Sequence, residues 1–216
     1  MRRIAPYALL ILPLAVPTAD GQTAPPLVDA LEWAPLRDHC RNLLDGLDAL
    51  KAPLPAETTR ALQALLKQPP ADPDAAAAAV QKLLDPCCLL VVSINPESRV
   101  KAARGPAESE LTLDQERIVL VKVQNDAGST ARLGVSGPGI RAAGETGDGR
   151  WLEAAPATDS PLSRTLSGRR LEYVVLRLTA REAGKREATF RFDVGQGTQD
   201  LGFRAETPIL FTVQGR

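Results

Sequence analysis

The sequence predicts an α+β chain: a short N-terminal helical segment followed by an antiparallel β-sandwich of the Ig-like or FnIII-like kind. Three observations carry that prediction. Residues 27–86 repeat their apolar positions every three or four residues and hold almost no strand formers, which is the spacing of a helix face. From Cys88 onward the period shortens to two, the alternation of a strand. The links between the later apolar runs are polar, carry Gly, Pro and Ser, and contain no helical stretch; this favours two packed sheets over a parallel sheet with crossover helices.

The chain opens with Arg2 and Arg3, an apolar run over 4–16, and the small and polar stretch 17–21. Basic, apolar and cleavable regions in that order predict a secretory signal over 1–21, cut near Gly21. Pro6 and Pro13 interrupt the run, and it is shorter than the roughly 20 residues that span a bilayer. The predicted organisation is therefore a signal peptide (1–21), a helical leader (22–86) and a sandwich domain (87–216). The chain is expected to be exported to the periplasm or beyond the cell, with no membrane attachment after cleavage.

Within the leader, Leu36, Cys40, Leu43, Leu44, Leu47 and Leu50 share one helical stripe. Pro35 cannot lie inside that helix without a kink, so the helix is predicted to begin beside it. A second helix fits 55–68, with Leu62, Leu65 and Leu66 inward. Asp72 as cap and Pro73 at the first helical position announce a third, which continues through Ala75, Val80, Leu83 and Leu84. Pro69, Pro70 and Pro86 close these helices. Three short helices make little core alone, so they are expected to lean on the following domain or on a partner.

The stronger predicted strands are 89–94, 118–124, 131–136, 171–179, 188–194 and 208–213. Alternation is cleanest where Ala188, Phe190, Phe192 and Val194 oppose Thr189, Arg191 and Asp193, giving one dry and one wet face. The Ala183, Gly184, Lys185 link reads as a hairpin between the fourth and fifth of these strands. Residues 136–149 and 154–163 read as loops.

Lys plus Arg and Asp plus Glu number 26 each, for zero net charge, so no overall field draws the chain to nucleic acid or anionic lipid. His39 is the only histidine; it lies in a predicted helix, where sequence neighbours point about 100 degrees apart and cannot form a relay. One histidine and an adjacent Cys87-Cys88 pair do not match zinc spacings. The glycine-bearing stretch 134–149 lacks the Gly-Lys-Ser/Thr ending that cradles phosphate. Glu108, Glu110, Asp114 and Glu116 read as solvated acids rather than as an acid–base pair. No catalytic residue, metal ligand or cofactor is assigned. Cys40, Cys87 and Cys88 allow two readings: a bridge from Cys40 to Cys87 or Cys88 that staples helix to strand, or three small buried hydrophobes.

Two segments offer contact chemistry. Over 94–106, Asn95, Glu97, Arg99, Lys101 and Arg104 are candidate contact residues, of which Arg99, Lys101 and Arg104 suit an anion or a carboxylate on a partner; the simpler reading of the segment is an edge strand whose Pro, Lys and Arg discourage pairing. Over 193–204, Asp193, Gln196 and Asp200 lie among glycines. Their spacing departs from the EF-hand calcium pattern, so a tight connection is the simpler reading.

The stretches INPESRVKAARGPA, VLVKVQNDAGSTARLGVSGPG, LSGRRLEYVVLRL and EAGKREATFRFDVGQGTQDLGF resemble the amino-terminal, pre-catalytic region of large exported bacterial CehA/McbA-family metallohydrolases of the PHP superfamily. The likeness runs over residues 89–213. It implies a β-rich accessory leader, with a metal-dependent hydrolase supplied by a downstream domain or subunit. The His and Asp ligand motifs of that hydrolase have no counterpart in these 216 residues, so no catalytic role transfers. Two functions follow: an exported non-catalytic binding or scaffolding module for a protein or envelope glycan, or the detached accessory part of a PHP-type hydrolase.

Overall fold

The computed structural model describes residues 25–67, 69–141, 150–195 and 205–215. The expected signal peptide and its cleavage site lie outside the described residues, as do Gln196 and Asp200. Three helices come first: α1 (Trp33–Ala49), α2 (Ala56–Leu66) and α3 (Pro73–Leu84), the last running into a 3-10 turn at Asp85–Cys87. Asp72 caps α3, its Oδ1 accepting the Ala75 N–H at 3.0 Å, and Pro73 stands at the helix start. As expected, α1 begins beside Pro35, which falls within its first turn two residues after Trp33; first-turn amides have no intrahelical acceptor, so a missing N–H costs nothing there.

Among the described residues, ten strands follow: β1 (Cys88–Ile94), β2 (Val100–Arg104), β3 (Glu110–Thr112), β4 (Glu116–Asn125), β5 (Gly134–Ser136), β6 (Ile140–Arg141), β7 (Leu152–Pro156), β8 (Leu171–Ala180), β9 (Gly184–Asp193) and β10 (Thr207–Gln214). They form a six-stranded sheet in the order β2-β1-β4-β8-β7-β6 and a four-stranded sheet in the order β3-β10-β9-β5.

Three features depart from the sequence reading. The sheets are mixed rather than antiparallel: β1 lies parallel to β4, β3 to β10, and β6 to β7. β2 and β3 intervene before the chain returns beside β1, so β4 arrives running in the same direction. β8 and β9 are not a hairpin. β8 is flanked by β4 and β7, which leaves it no open edge, and the chain crosses to the second sheet at Gly184, whose φ of 98° suits a residue without a Cβ. Finally, Ala154, Ala155 and Pro156, read as the start of a loop, form the second half of β7, which pairs with β8 along Leu152–Pro156.

The two sheets share one apolar core. Leu90, Val92 and Ile94 of β1, Val121 and Val123 of β4, and Leu176 and Leu178 of β8 meet Phe190, Ile209, Phe211 and Val213. The Trp151 and Phe211 rings meet edge to face at 5.7 Å, and each fully buried aromatic of this kind contributes about 1.5–3 kcal/mol. β10 is buried at every second residue from Thr207 to Val213. Bridges from Lys101 to Ala205 and from Leu113 to Ala180 join the two sheets.

The helices form a third layer. Leu36, Leu43, Leu47, Leu62, Val80 and Leu84 pack on Leu120, Leu171, Tyr173 and Val175, which alternate with the core-facing residues of β4 and β8. Both faces of the central strands are therefore covered, and any polar group on them must find its partner inside.

Candidate functional site

The turn between β1 and β2 is built by its own polar side chains. Asn95 Oδ1 accepts the Arg99 N–H at 2.8 Å, and Asn95 Nδ2 donates to Glu97 Oε2 at 2.6 Å. The Asn95 N–H donates to Arg99 O at 3.0 Å while Ser98 takes a φ of 61°, so Asn95 and Glu97 set the shape of this tip. Lys101 is exposed on β2. Its bridge to Ala205 places it beside the paired ends of β9 and β10, where Arg191 meets Glu206 at 2.6 Å.

Arg104 is not part of that surface. Its guanidinium donates to Leu89 O at 2.9 Å and to the carbonyls of Gly105 and Ala107, clamping the link out of β2 onto β1. Burial, and secondarily Arg117, lowers its pKa. The clamp is tight enough that a Cβ at Gly105 would stand 2.2 Å from Cys88 O. Asp193 ends β9 exposed, its Oδ1 accepting the Gly195 N–H at 3.1 Å in a local turn. The structure thus brings the 95–101 hairpin edge close to the strand ends flanking 196–204, and sets Arg104 apart as a structural residue.

His39 is held between α1 and β8. Its Nε2 accepts the Tyr173 N–H at 2.8 Å, and the two rings stack with centroids 6.5 Å apart. Accepting that bond requires the neutral ring, and burial, with a smaller contribution from Arg169, holds the pKa down to about 4. A cavity of about 80 Å³ lies beside it, lined by Asn42, Leu43, Pro161, Glu172 and Tyr173 among others, with room for a few waters.

The densest polar cluster was not expected from sequence. Lys122 Nζ, fully buried, donates to Asp85 Oδ2 at 2.7 Å, Pro26 O at 2.8 Å and Gln81 Oε1 at 3.0 Å. Asp85 Oδ1 accepts from the Tyr173 hydroxyl at 2.9 Å. Burial raises the Asp85 pKa against the opposing pull of Lys122, and burial and Asp85 together push the Tyr173 phenol well up. All three ammonium hydrogens and both carboxylate oxygens are satisfied, so the cluster has no open valence for a substrate. One sequence signal could have found it: Lys122 interrupts the run Ile118, Val119, Leu120, Val121, Val123. An apolar run of that kind marks a strand covered on both faces, so its lysine must be buried and paired. Glu172 is handled likewise, its two carboxylate oxygens each accepting the Ser167 N–H at 2.9 Å, with burial raising its pKa.

The three cysteines are free thiols, so of the two readings the sequence allows, a bridge from Cys40 to Cys87 or Cys88 is not formed. The sulfurs of the adjacent pair turn back to the end of α3: Cys88 Sγ donates to Leu84 O at 3.4 Å and Cys87 Sγ to Leu83 O at 3.9 Å. Burial pushes the Cys40 thiol up to about 12 and raises the other two. All three are protonated near neutrality and pack as small apolar groups.

Among the described residues, no group of three or more His, Cys, Asp or Glu is placed to hold a metal ion. No helix among them is long and apolar enough to cross a membrane. No family model matches the chain, and no curated protein matches it. Solved structures similar to parts of it include the SrpA adhesin R347E mutant from Streptococcus sanguinis, at 12% identity and a TM-score of 0.33. That match covers 51% of this chain and 57% of the adhesin chain. Domains 4 and 5 of the S-layer protein SbsC match at 11% identity and a TM-score of 0.28, over 54% of this chain and 57% of theirs. A PapD-like domain of human CEP192 matches at 10% and 0.28, over 61% and 87%. The chain thus spans little more than half the length of the first two, and likenesses at these scores carry no argument about family or function.

Proposed function

We propose that this chain is an exported, non-catalytic binding or scaffolding module: an Ig-like β-sandwich braced by a helical leader and released from a signal peptide over 1–21. Its contact surface is the edge formed by the β1–β2 hairpin and the adjoining ends of β9 and β10, with Asn95 and Glu97 shaping the tip and Lys101 and Asp193 presented beside it. The partner class is a protein or an envelope glycan carrying anionic groups, because an ammonium at an exposed edge recognises carboxylate or phosphate oxygens by charge-assisted hydrogen bonds.

One observation carries this reading: the disposition of the ionisable side chains. His39, Asp85, Lys122, Glu172 and Tyr173 are each engaged by an internal partner, whereas Lys101 stands exposed on the edge strand β2 and Asp193 at the exposed end of β9. Groups held in this way brace a scaffold and are poorly placed to shuttle protons. The immobilised chain, exposed to an envelope extract, is expected to retain glycan or protein above an unrelated β-sandwich control; retention equal to the control would overturn the proposal. The sequence likeness over 89–213 supports a second reading, an accessory part of a PHP-type hydrolase. That reading requires an adjacent reading frame rich in His and Asp motifs, and an unrelated neighbour would remove it.

A further inference from the structure

Residues 25–29 precede α1 and belong to no helix or strand, and they are held in an unusual way. Among the described residues, the hydrogen bonds that reach this segment from elsewhere all end on its main chain. Gln81 Oε1 accepts the Val28 N–H at 2.8 Å and Gln81 Nε2 donates to Val28 O at 2.9 Å, so one side-chain amide pairs with one residue as a neighbouring strand would. Pro26 O accepts from Lys122 Nζ at 2.8 Å and from Gln124 Nε2 at 3.2 Å, and Asp29 O accepts from Arg170 at 2.9 Å. Pro26, Leu27 and Asp29 are exposed, while Pro25 is buried and Val28 half-buried.

The joint between this segment and α1 is strained. Ala30 has a φ of 52°, in the left-handed region where a Cβ crowds the carbonyl that follows. The segment is thus held down by polar contacts against a hinge that favours another conformation. It also covers the buried Lys122–Asp85 pair, since Pro26 O is one of the three acceptors of Lys122.

We infer that residues 25–29 form a releasable strap, which opens at Ala30 as a unit while both sheets stay folded and which uncovers the Lys122–Asp85 pair when it does. Gln81 is the latch, because its amide is both donor and acceptor to Val28. Ala30 is the hinge.

Two variants of the full chain weaken the strap by unrelated routes. Gln81→Glu keeps the acceptor for Val28 N–H and Lys122 but sets a carboxylate oxygen against Val28 O. Ala30→Val adds a β-branched side chain at an exposed position where positive φ is an outlier for such residues. Hydrogen–deuterium exchange of the Val28 amide, which donates to Gln81 Oε1, is expected to rise about tenfold in each variant, with β4 and β8 amides unchanged. Acetylation of Lys122 by a small amine-reactive ester, read by mass spectrometry, is expected to rise in parallel. The inference is overturned if the Val28 amide exchanges at the unprotected rate in the wild type. It is equally overturned if β4 and β8 amides accelerate by the same factor as the strap, which means global unfolding, or if neither variant changes strap exchange and Lys122 labelling.

Discussion

Replacing Asp85 by alanine leaves the Lys122 ammonium buried with two neutral acceptors, Pro26 O and Gln81 Oε1, and no counter-charge. Removing one partner of a buried pair costs about 3–5 kcal/mol, because the remaining charge keeps its desolvation penalty without the compensating attraction. The same change strips the Tyr173 hydroxyl of its acceptor, so the upper half of that range is expected. For a chain of this size about 2–4 °C of melting temperature corresponds to each kcal/mol, which places the loss at roughly 8–20 °C. Lys122→Met fills similar volume without charge and leaves Asp85 free to take up a proton, its pKa being raised already by burial; about 1–3 kcal/mol is expected for the orphaned acceptors. The double variant is the decisive comparison. With both charges gone, no ion is left buried alone, so it should be more stable than Asp85→Ala by itself and far from the sum of the two single changes. Urea unfolding followed by circular dichroism measures all four proteins. Additive losses, or an Asp85→Ala cost below about 1 kcal/mol, would mean that the pair is solvated and that the helical layer does not seal the sheet.

Three further outcomes follow from the same geometry. The His39 pKa falls from 6.5 to about 4 on folding, so between those values the unfolded state binds more protons; the contribution is whole above pH 6.5 and declines by about 3 kcal/mol as pH drops through 4. His39→Gln keeps an acceptor for the Tyr173 N–H without titrating, and the difference in stability between the two proteins should follow that window; a pH-independent difference refutes it. Arg104→Ala removes the guanidinium donors to the carbonyls of Gly105 and Ala107 and one of the two donors to Leu89 O, which keeps the Gly105 N–H, and should cost about 1–3 kcal/mol in urea unfolding, with partner retention unchanged at matched folded concentration; a loss of retention alone would return Arg104 to the contact surface. Cys40 and Cys88 should resist Ellman's reagent until denaturant is added, and the intact mass should correspond to three reduced thiols; a mass two daltons lower would show that a bridge forms after all.

The helices were the most legible part of the sequence, because their signals are local: Asp72 and Pro73 start α3, and the leucine stripe of α1 needs no distant partner to be read. β4, β8, β9 and β10 were legible from alternation or from dense apolar runs. β7 was not, since Ala154, Ala155 and Pro156 have little strand propensity and are drawn into the sheet by pairing with β8. Gly184 correctly marked a turn, yet a turn residue says only that the chain reverses and not which strands pair across it, so a sheet-to-sheet crossing read as a hairpin. At the candidate site the exposed hairpin charges were visible. The engagement of Arg104 was hidden because it depends on how the β2–β3 link folds back on β1, and the contact that holds His39 was hidden because its partner, Tyr173, lies 134 residues away.

Retention of envelope material by Lys101→Glu, compared with the wild type at equal folded concentration, tests the binding role most directly. Lys101 is exposed and makes its bridge through the backbone, so reversing its charge should leave the melting temperature within about 1–2 °C and reduce retention at least severalfold. Undiminished retention by a fully folded Lys101→Glu protein would contradict the placement of the contact surface at this edge.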